Sequence, residues 1–474
     1  MARKVFLAAQ DSPFLYLYIM KRIVLLWLLL GLPQFFYGQE SSGQIITSQD
    51  ISGQITTSQI ITSQDISGQD SSGQGFIYEH AAFPSCHAST LVETTAGDLL
   101  VAFFGGSYEG HPDNCIWLCR LPAREGAVWS APVCVADGML DGVKTACYNP
   151  VLFQIPEGEL ILFYKVGTEV QKWRGFLKRS YDGGHTWSEP EAFPENQLGP
   201  VRNKPLLLPR GPHGEEGTYL LCGSSFENEG WRVHFEWAPV ANGQLPSPST
   251  QGNPAQRSST QGHVTRDHFT QAPDAWYVGA PINQPEASHQ PNKCTQPDTC
   301  NQPESSHQPE ASTQPNTCHQ PDTCTQPEAS QIIQPTLWLK PDGEVQAFFR
   351  NRDPHGYIMT SRLLPGDSLW SRPTPTSLPG NNSGLDGVSL EDGSFLLVYN
   401  HVSPDTPGAR SPLCYAITRD GTHWSAPVTL EDTPGQELSY PAVIRTQDGQ
   451  IHLSYTWHRT HIKHLQPKIF ALPL

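Results

Sequence analysis

Apolar residues recur along this chain in a fixed unit: a short apolar strand, a polar turn such as Asp-Gly or Glu-Gly, and a second apolar strand. The copies begin near His87 (HASTLVETTAGDLLVAFF), Asn149 (NPVLFQIPEGELILFYK), Asn203 (NKPLLLPRGPHGEEGTYLLC), Gln334 (QPTLWLKPDGEVQAFFR), Asp386 (DGVSLEDGSFLLVYN) and Tyr440 (YPAVIRTQDGQIHLSYTW). One hairpin buries too little surface to stand alone. Six copies at a roughly regular period predict a radial array in which each blade covers its neighbour's apolar face, an all-β, six-bladed β-propeller. The segment around Phe76-Ile77-Tyr78 is expected to close the ring against C-terminal strands near Lys468-Ile469-Phe470.

Trp129, Trp187, Trp370 and Trp424 keep the same beat, with Trp276 as a degenerate fifth copy. The fullest of these turns reads Ser180-Tyr-Asp182-Gly183-Gly184-His-Thr186-Trp187, and Thr418 to Trp424 is a copy one residue shorter. In such a box a carboxylate and a hydroxyl bond backbone N–H groups, glycines supply positive φ, and Trp packs beneath. Its work is structural. The pattern matches the Asp-box S-x-D-x-G-x-T-W. With the six hairpins, the region 76–474 resembles the sialidase (neuraminidase) superfamily, in its bacterial branch of BNR-repeat proteins.

Two tracts stand apart from the hairpins. Residues 39–75 repeat SGQ, ITSQ and DISGQ, and residues 283–330 are eight hexapeptides of the form x-Gln-Pro-x-x-x. Neither has the apolar content to contribute a core, so the first reads as a linker and the second, with the polar stretch 247–271, as an insertion in the propeller. Upstream, Met20-Lys21-Arg22 followed by Ile23 to Leu32 has the plan of a secretory signal peptide within residues 1–38. A secreted or periplasmic protein starting at Met20, without a transmembrane anchor, is therefore expected.

Composition narrows the partners. The formal net charge is −16, which disfavours nucleic acid and anionic membrane while leaving room for a locally basic cleft. Of the 11 cysteines, Cys294, Cys300, Cys318 and Cys324 recur with the hexapeptide beside His289, His307 and His319. They read as repeat content rather than a metal site. No disulfide framework follows from the spacing of the other seven, and those in apparent strands fit buried free thiols. No cofactor and no metal is called for, and a monomer is expected.

Chemistry belongs where inner strands from different blades converge. Polar residues head the six hairpins, among them His87, Asn149 and Gln334. The loop from Gly105 to Asn114 crowds Glu109, His111 and Asp113 beside them. By the sialidase resemblance, Asp113 is the candidate acid/base with His111 assisting. Tyr440 is the nucleophile of a retaining mechanism and Glu236 the carboxylate that activates it. The same resemblance gives Arg350 and Arg410 to the grip on a substrate carboxylate.

Where sialidases carry Arg-Ile-Pro, this chain has His87-Ala88-Ser89. A histidine with Arg174, Arg232 and Arg350 nearby also suits proton abstraction beside a uronate carboxylate. Three functions follow for an acidic glycan: a sialidase-like exo-glycosidase, a lyase acting at a terminal uronate of the rhamnose-glucuronate type, or a propeller that only binds.

Overall fold

The computed structural model describes residues 75–227, 230–248, 275–282, 331–352, 356–403, 405–406 and 408–469. The signal-peptide segment, the SGQ-type linker up to residue 74 and the hexapeptide tract lie outside them. Six antiparallel four-stranded sheets form the blades of a propeller. Blade 1 opens with Ser85–Glu93, blade 2 with Cys147–Gln154 and blade 3 with Leu206–Arg210. Blades 4, 5 and 6 open with Ile332–Leu339, Asp386–Ser389 and Leu438–Arg445. Among the described residues no helix is long and apolar enough to cross a membrane.

The second strands show why the blades must stack. Leu99–Gly106 is buried throughout, because both faces of a blade are covered and a strand covered on both faces is continuously apolar. Its alternate residues enter different cores. Leu100, Ala102 and Phe104 pack with Leu160, Leu162 and Tyr164 of blade 2, whereas Leu99, Val101 and Phe103 pack with Ala442, Ile444 and Ile462 of blade 6. The same division repeats around the ring. Ile161 and Phe163 meet Leu220 and Cys222, and Tyr219 and Leu221 meet Val345, Ala347 and Phe349. Phe348 meets Phe395 and Leu397, and Leu396 and Val398 meet Leu453 and Tyr455. Each large buried side chain contributes about 1.5–3 kcal/mol.

The Asp-box turns hold together as their residues dictate. Asp182 Oδ1 accepts from the His185 and Thr186 N–H groups at 3.0 and 2.9 Å, and Oδ2 from the Thr186 hydroxyl at 2.6 Å. Asp420 repeats the arrangement with Thr422 and His423. Trp424 meets the edge of Phe348 at 5.3 Å, and Trp370 stacks on Phe235 at 3.9 Å.

Ring closure is made by Gly75–Phe76, which pairs antiparallel with His461–Leu465 as the fourth strand of blade 6. The partner is therefore earlier than the expected Lys468-Ile469-Phe470. The third strand stops at Leu465, ahead of Gln466-Pro467, and proline cannot donate to a ladder. The seven cysteines outside the hexapeptide tract are free thiols, six buried and Cys134 exposed.

Around the channel, Asp386 of blade 5 ties its own inner strand to those of blades 4 and 6 and to the segment that leads into blade 3. Its carboxylate accepts from Thr336 at 2.9 Å, Lys204 at 2.8 Å and the Val443 N–H at 2.9 Å. Four inner strands also carry a bulge near their heads, with a left-handed residue at Ala88, Asn149, Gln334 and Tyr440. The chain approaching blade 3 has Arg202 in the same conformation.

Candidate functional site

In each antiparallel blade the first strand begins, the second ends and the third begins on one rim of the propeller. His87, Tyr440 and Gln334 stand at first-strand heads, Arg350 near a second-strand end, and Arg410 shortly before a third strand. The fold thus delivers residues from several blades to one mouth.

Tyr440 is its centre. The ring is 7% exposed, and three guanidinium carbons stand around it: Arg202 at 5.1 Å, Arg350 at 5.7 Å and Arg410 at 5.5 Å from the ring centroid. Arg350 Nη1 donates to the phenol oxygen at 2.5 Å and to Gln334 Oε1 at 3.2 Å, while its Nε donates to Asn382 Oδ1 at 2.8 Å. Gly384 lies under the ring, where a Cβ would sit 3.1 Å from it.

The His87 ring is centred 4.1 Å from that of Tyr440. Its Nδ1 is 3.0 Å from Thr456 Oγ1, and its Nε2 is 3.5 Å from Arg459 Nη2. Burial first, then the charges of Arg459, Arg410, Arg202 and Arg350, push this imidazole well below the usual histidine range. It is held neutral.

Glu437 supplies the countercharge. It accepts from Arg410 at 2.6 Å, Arg459 Nε at 2.8 Å and Ser439 Oγ at 2.6 Å. Burial would raise its carboxyl, but Arg410 and Arg459 hold it below the usual range. An open depression of about 370 Å³ borders these groups, lined by Arg410, Ser411, Gln436, Glu437 and Arg459 among others.

Other sequence-predicted residues lie apart from Tyr440 or are engaged elsewhere. Glu236 is wholly buried, accepting from the Leu198 and Gly199 N–H groups at 3.2 and 3.1 Å with His234 Nε2 at 3.0 Å. It lies four residues into Arg232–Pro239, about 13 Å down the strand from the rim, and braces the loop that leads to Arg202. Asp113 closes its own loop. It accepts from the Ser107 N–H and hydroxyl at 2.9 and 2.6 Å and lies 2.7 Å from His111 Nδ1. Desolvation would raise its carboxyl, but Ser107 and His111 together hold it below the usual range. Arg174 is exposed over Phe176 at 5.5 Å, and Arg232 lies over Phe226 at 5.2 Å. Asn149 is buried in its inner strand.

Sequence reading missed four members of this rim. Arg202, 1% exposed, donates to the Ser89 carbonyl at 3.3 Å and to that of Pro441. Burial draws its guanidinium down to about 10, with Asp386 pulling the other way. Arg459 joins Glu437 to Glu109, the loop acid from blade 1. Glu227, at the end of the second strand of blade 3, hydrogen-bonds Trp231 and feels Arg350 and Arg352; burial pushes its carboxyl up against those pulls.

Comparison with known proteins places this geometry in context. A Dyadobacter fermentans protein of unknown function superposes with a TM-score of 0.53 at 14% identity, over 82% of this chain and 96% of that one. The intramolecular trans-sialidase of Ruminococcus gnavus, solved with oseltamivir carboxylate, superposes with a TM-score of 0.52 at 13% identity, over 84% of this chain and 98% of that one. No curated protein matches the sequence. The BNR repeat-like domain matches residues 97–260 and 255–453. On that match, and with the sialidase-like six-bladed propeller it accompanies, this chain belongs to the BNR repeat-like domain family.

Proposed function

We propose that the protein is an exo-acting, sialidase-like glycosidase that removes a terminal sugar from an acidic glycan. The observation that carries this reading is the 2.5 Å bond from Arg350 to the Tyr440 phenol inside a ring of three guanidinium groups. Guanidinium forks suit a sugar carboxylate. In this reading the Tyr440 oxygen attacks the anomeric carbon, the glycosidic bond breaks, and water later releases the sugar from the tyrosyl adduct. Glu227 replaces Glu236 as the carboxyl group that takes up the phenol proton, since it shares Arg350 with Tyr440. By the family resemblance Asp113, assisted by His111, remains the candidate acid/base, and to act as an acid it would first have to take up a proton.

A second reading rests on His87. A neutral imidazole 4.1 Å from a tyrosine ring, among arginines, suits elimination at a uronate. His87 would accept the proton beside the carboxylate, Tyr440 would protonate the departing oxygen, and an arginine would neutralise the acid.

Incubation with sialyl-lactose and with a rhamnose-capped glucuronate glycan separates the readings. Free sialic acid supports hydrolysis, and the ultraviolet absorbance of an unsaturated product supports elimination. Binding of either glycan without turnover leaves a binding propeller, and no interaction with either removes the acidic-glycan reading.

A further inference from the structure

The two rings at the centre of the site are shielded, His87 at 2% and Tyr440 at 7% exposure. From buried His87 the contacts run outward to Arg459 and then to Glu109, whose side chains are 32% and 41% exposed. Arg459 is held by carboxylates of different character. Glu437 is fixed by Arg410 and Ser439 as well. Glu109 comes from a blade 1 loop, 350 positions away in the chain.

That loop is held together by its own bonds. It begins at Gly105-Gly106 and contains Gly110 at φ +93°. A Cβ at Gly106 would fall 2.3 Å from Asn114 Oδ1 and 2.5 Å from Asp113 Oδ1. Inside it, Ser107 bonds Asp113, Asn114 Nδ2 donates to the Tyr108 carbonyl at 2.9 Å, and the His111 N–H to the same carbonyl at 3.0 Å. None of these bonds needs the Glu109 side chain, so its carboxylate can leave Arg459 without dismantling the loop.

We propose that Glu109 stands in for the carboxylate of an acidic sugar, occupying Arg459 until the ligand displaces it. The inference rests on the acidic-glycan reading for its ligand. The exchange conserves charge, because one carboxylate replaces another on a guanidinium that remains paired with Glu437. An exposed ion pair is cheap to open. It also gives blade 6 an arginine beside His87, where blade 1 has none.

The test uses the full chain and Glu109→Gln, which keeps size and removes charge. Kd is measured by calorimetry for N-acetylneuraminic acid, glucuronic acid and their methyl esters. Hydrogen exchange over residues 106–114 and nitration of Tyr440 by tetranitromethane are followed without ligand. The expected result is faster exchange, greater nitration and about two- to fivefold tighter binding of a free acid, the range an exposed pair is worth. The esters should not gain, and Arg459→Met should lose the acid in both backgrounds. Unchanged exchange and nitration, with acid binding unchanged or weaker, overturns the proposal alone. Faster opening with neither acid bound by either protein overturns the stand-in role together with the acidic-glycan reading.

Discussion

Arg350 and Tyr440, 90 positions apart, are joined at 2.5 Å across the mouth of the channel. The bond spans blades 4 and 6, so it needs both of those blades in place. It also fixes the phenol oxygen as the acceptor of a cationic donor, which makes that oxygen the first atom to test.

Tyr440→Phe removes one oxygen and little surface. Turnover by hydrolysis should fall by about 10³-fold or more while ligand affinity stays within about threefold. Steady-state kinetics with calorimetric binding checks both numbers. His87→Ala should instead be the more damaging change if the product is unsaturated.

The pH dependence of folding carries a signature of His87. Its folded pKa lies well below the usual value, so the unfolded chain binds the proton more readily. Its contribution is fully present above about pH 6.5 and is lost as pH falls below that, at up to about 1.4 kcal/mol per pH unit. Urea titrations from pH 7.5 to 5 should show a shallower acid loss in His87→Gln than in the parent.

Glu236→Ala should destabilise the fold by about 2–4 kcal/mol, because the Leu198 and Gly199 N–H groups lose their acceptor in a dry wall. Equilibrium denaturation measures this. Glu236→Gln, which retains an acceptor oxygen, should recover much of the loss.

Asp386→Ala leaves Lys204, Thr336 and the Val443 N–H without their shared acceptor. A loss of about 3–5 kcal/mol is expected, with most of it restored by Lys204→Met in the same chain. Denaturation of the single and double variants checks the coupling.

The fold was legible because its signals are local: Asp-Gly turns between apolar strands, and boxes whose bonds lie within five residues, as at Asp182. The site was legible at hairpin heads such as His87 and Tyr440, and at Arg350 and Arg410 through the family resemblance. Arg202 escaped because the residue taken as the head was Asn203, one position on, whereas the left-handed residue that leads into blade 3 is Arg202 itself. Arg459 sits in a turn between second and third strands with His458, both at positive φ, and no residue there signals such a turn. The order of strands could have found it, since second-strand ends share the rim with first-strand heads. Glu236 was misplaced for the converse reason: it follows the right turn but lies too far down its strand.

Among the described residues Gly75 and Phe76 complete the sheet of blade 6, and the groups around His87 straddle the boundary between that blade and blade 1. Thr456 and Arg459 approach His87 across this boundary, and the Cys86 N–H reaches the Arg459 carbonyl there at 2.9 Å. The first and last parts of the chain to be synthesised within the propeller thus meet at His87 and Arg459. Loosening at this seam would scatter the site while five inter-blade cores remained packed, so loss of ligand recognition would precede loss of bulk structure on heating.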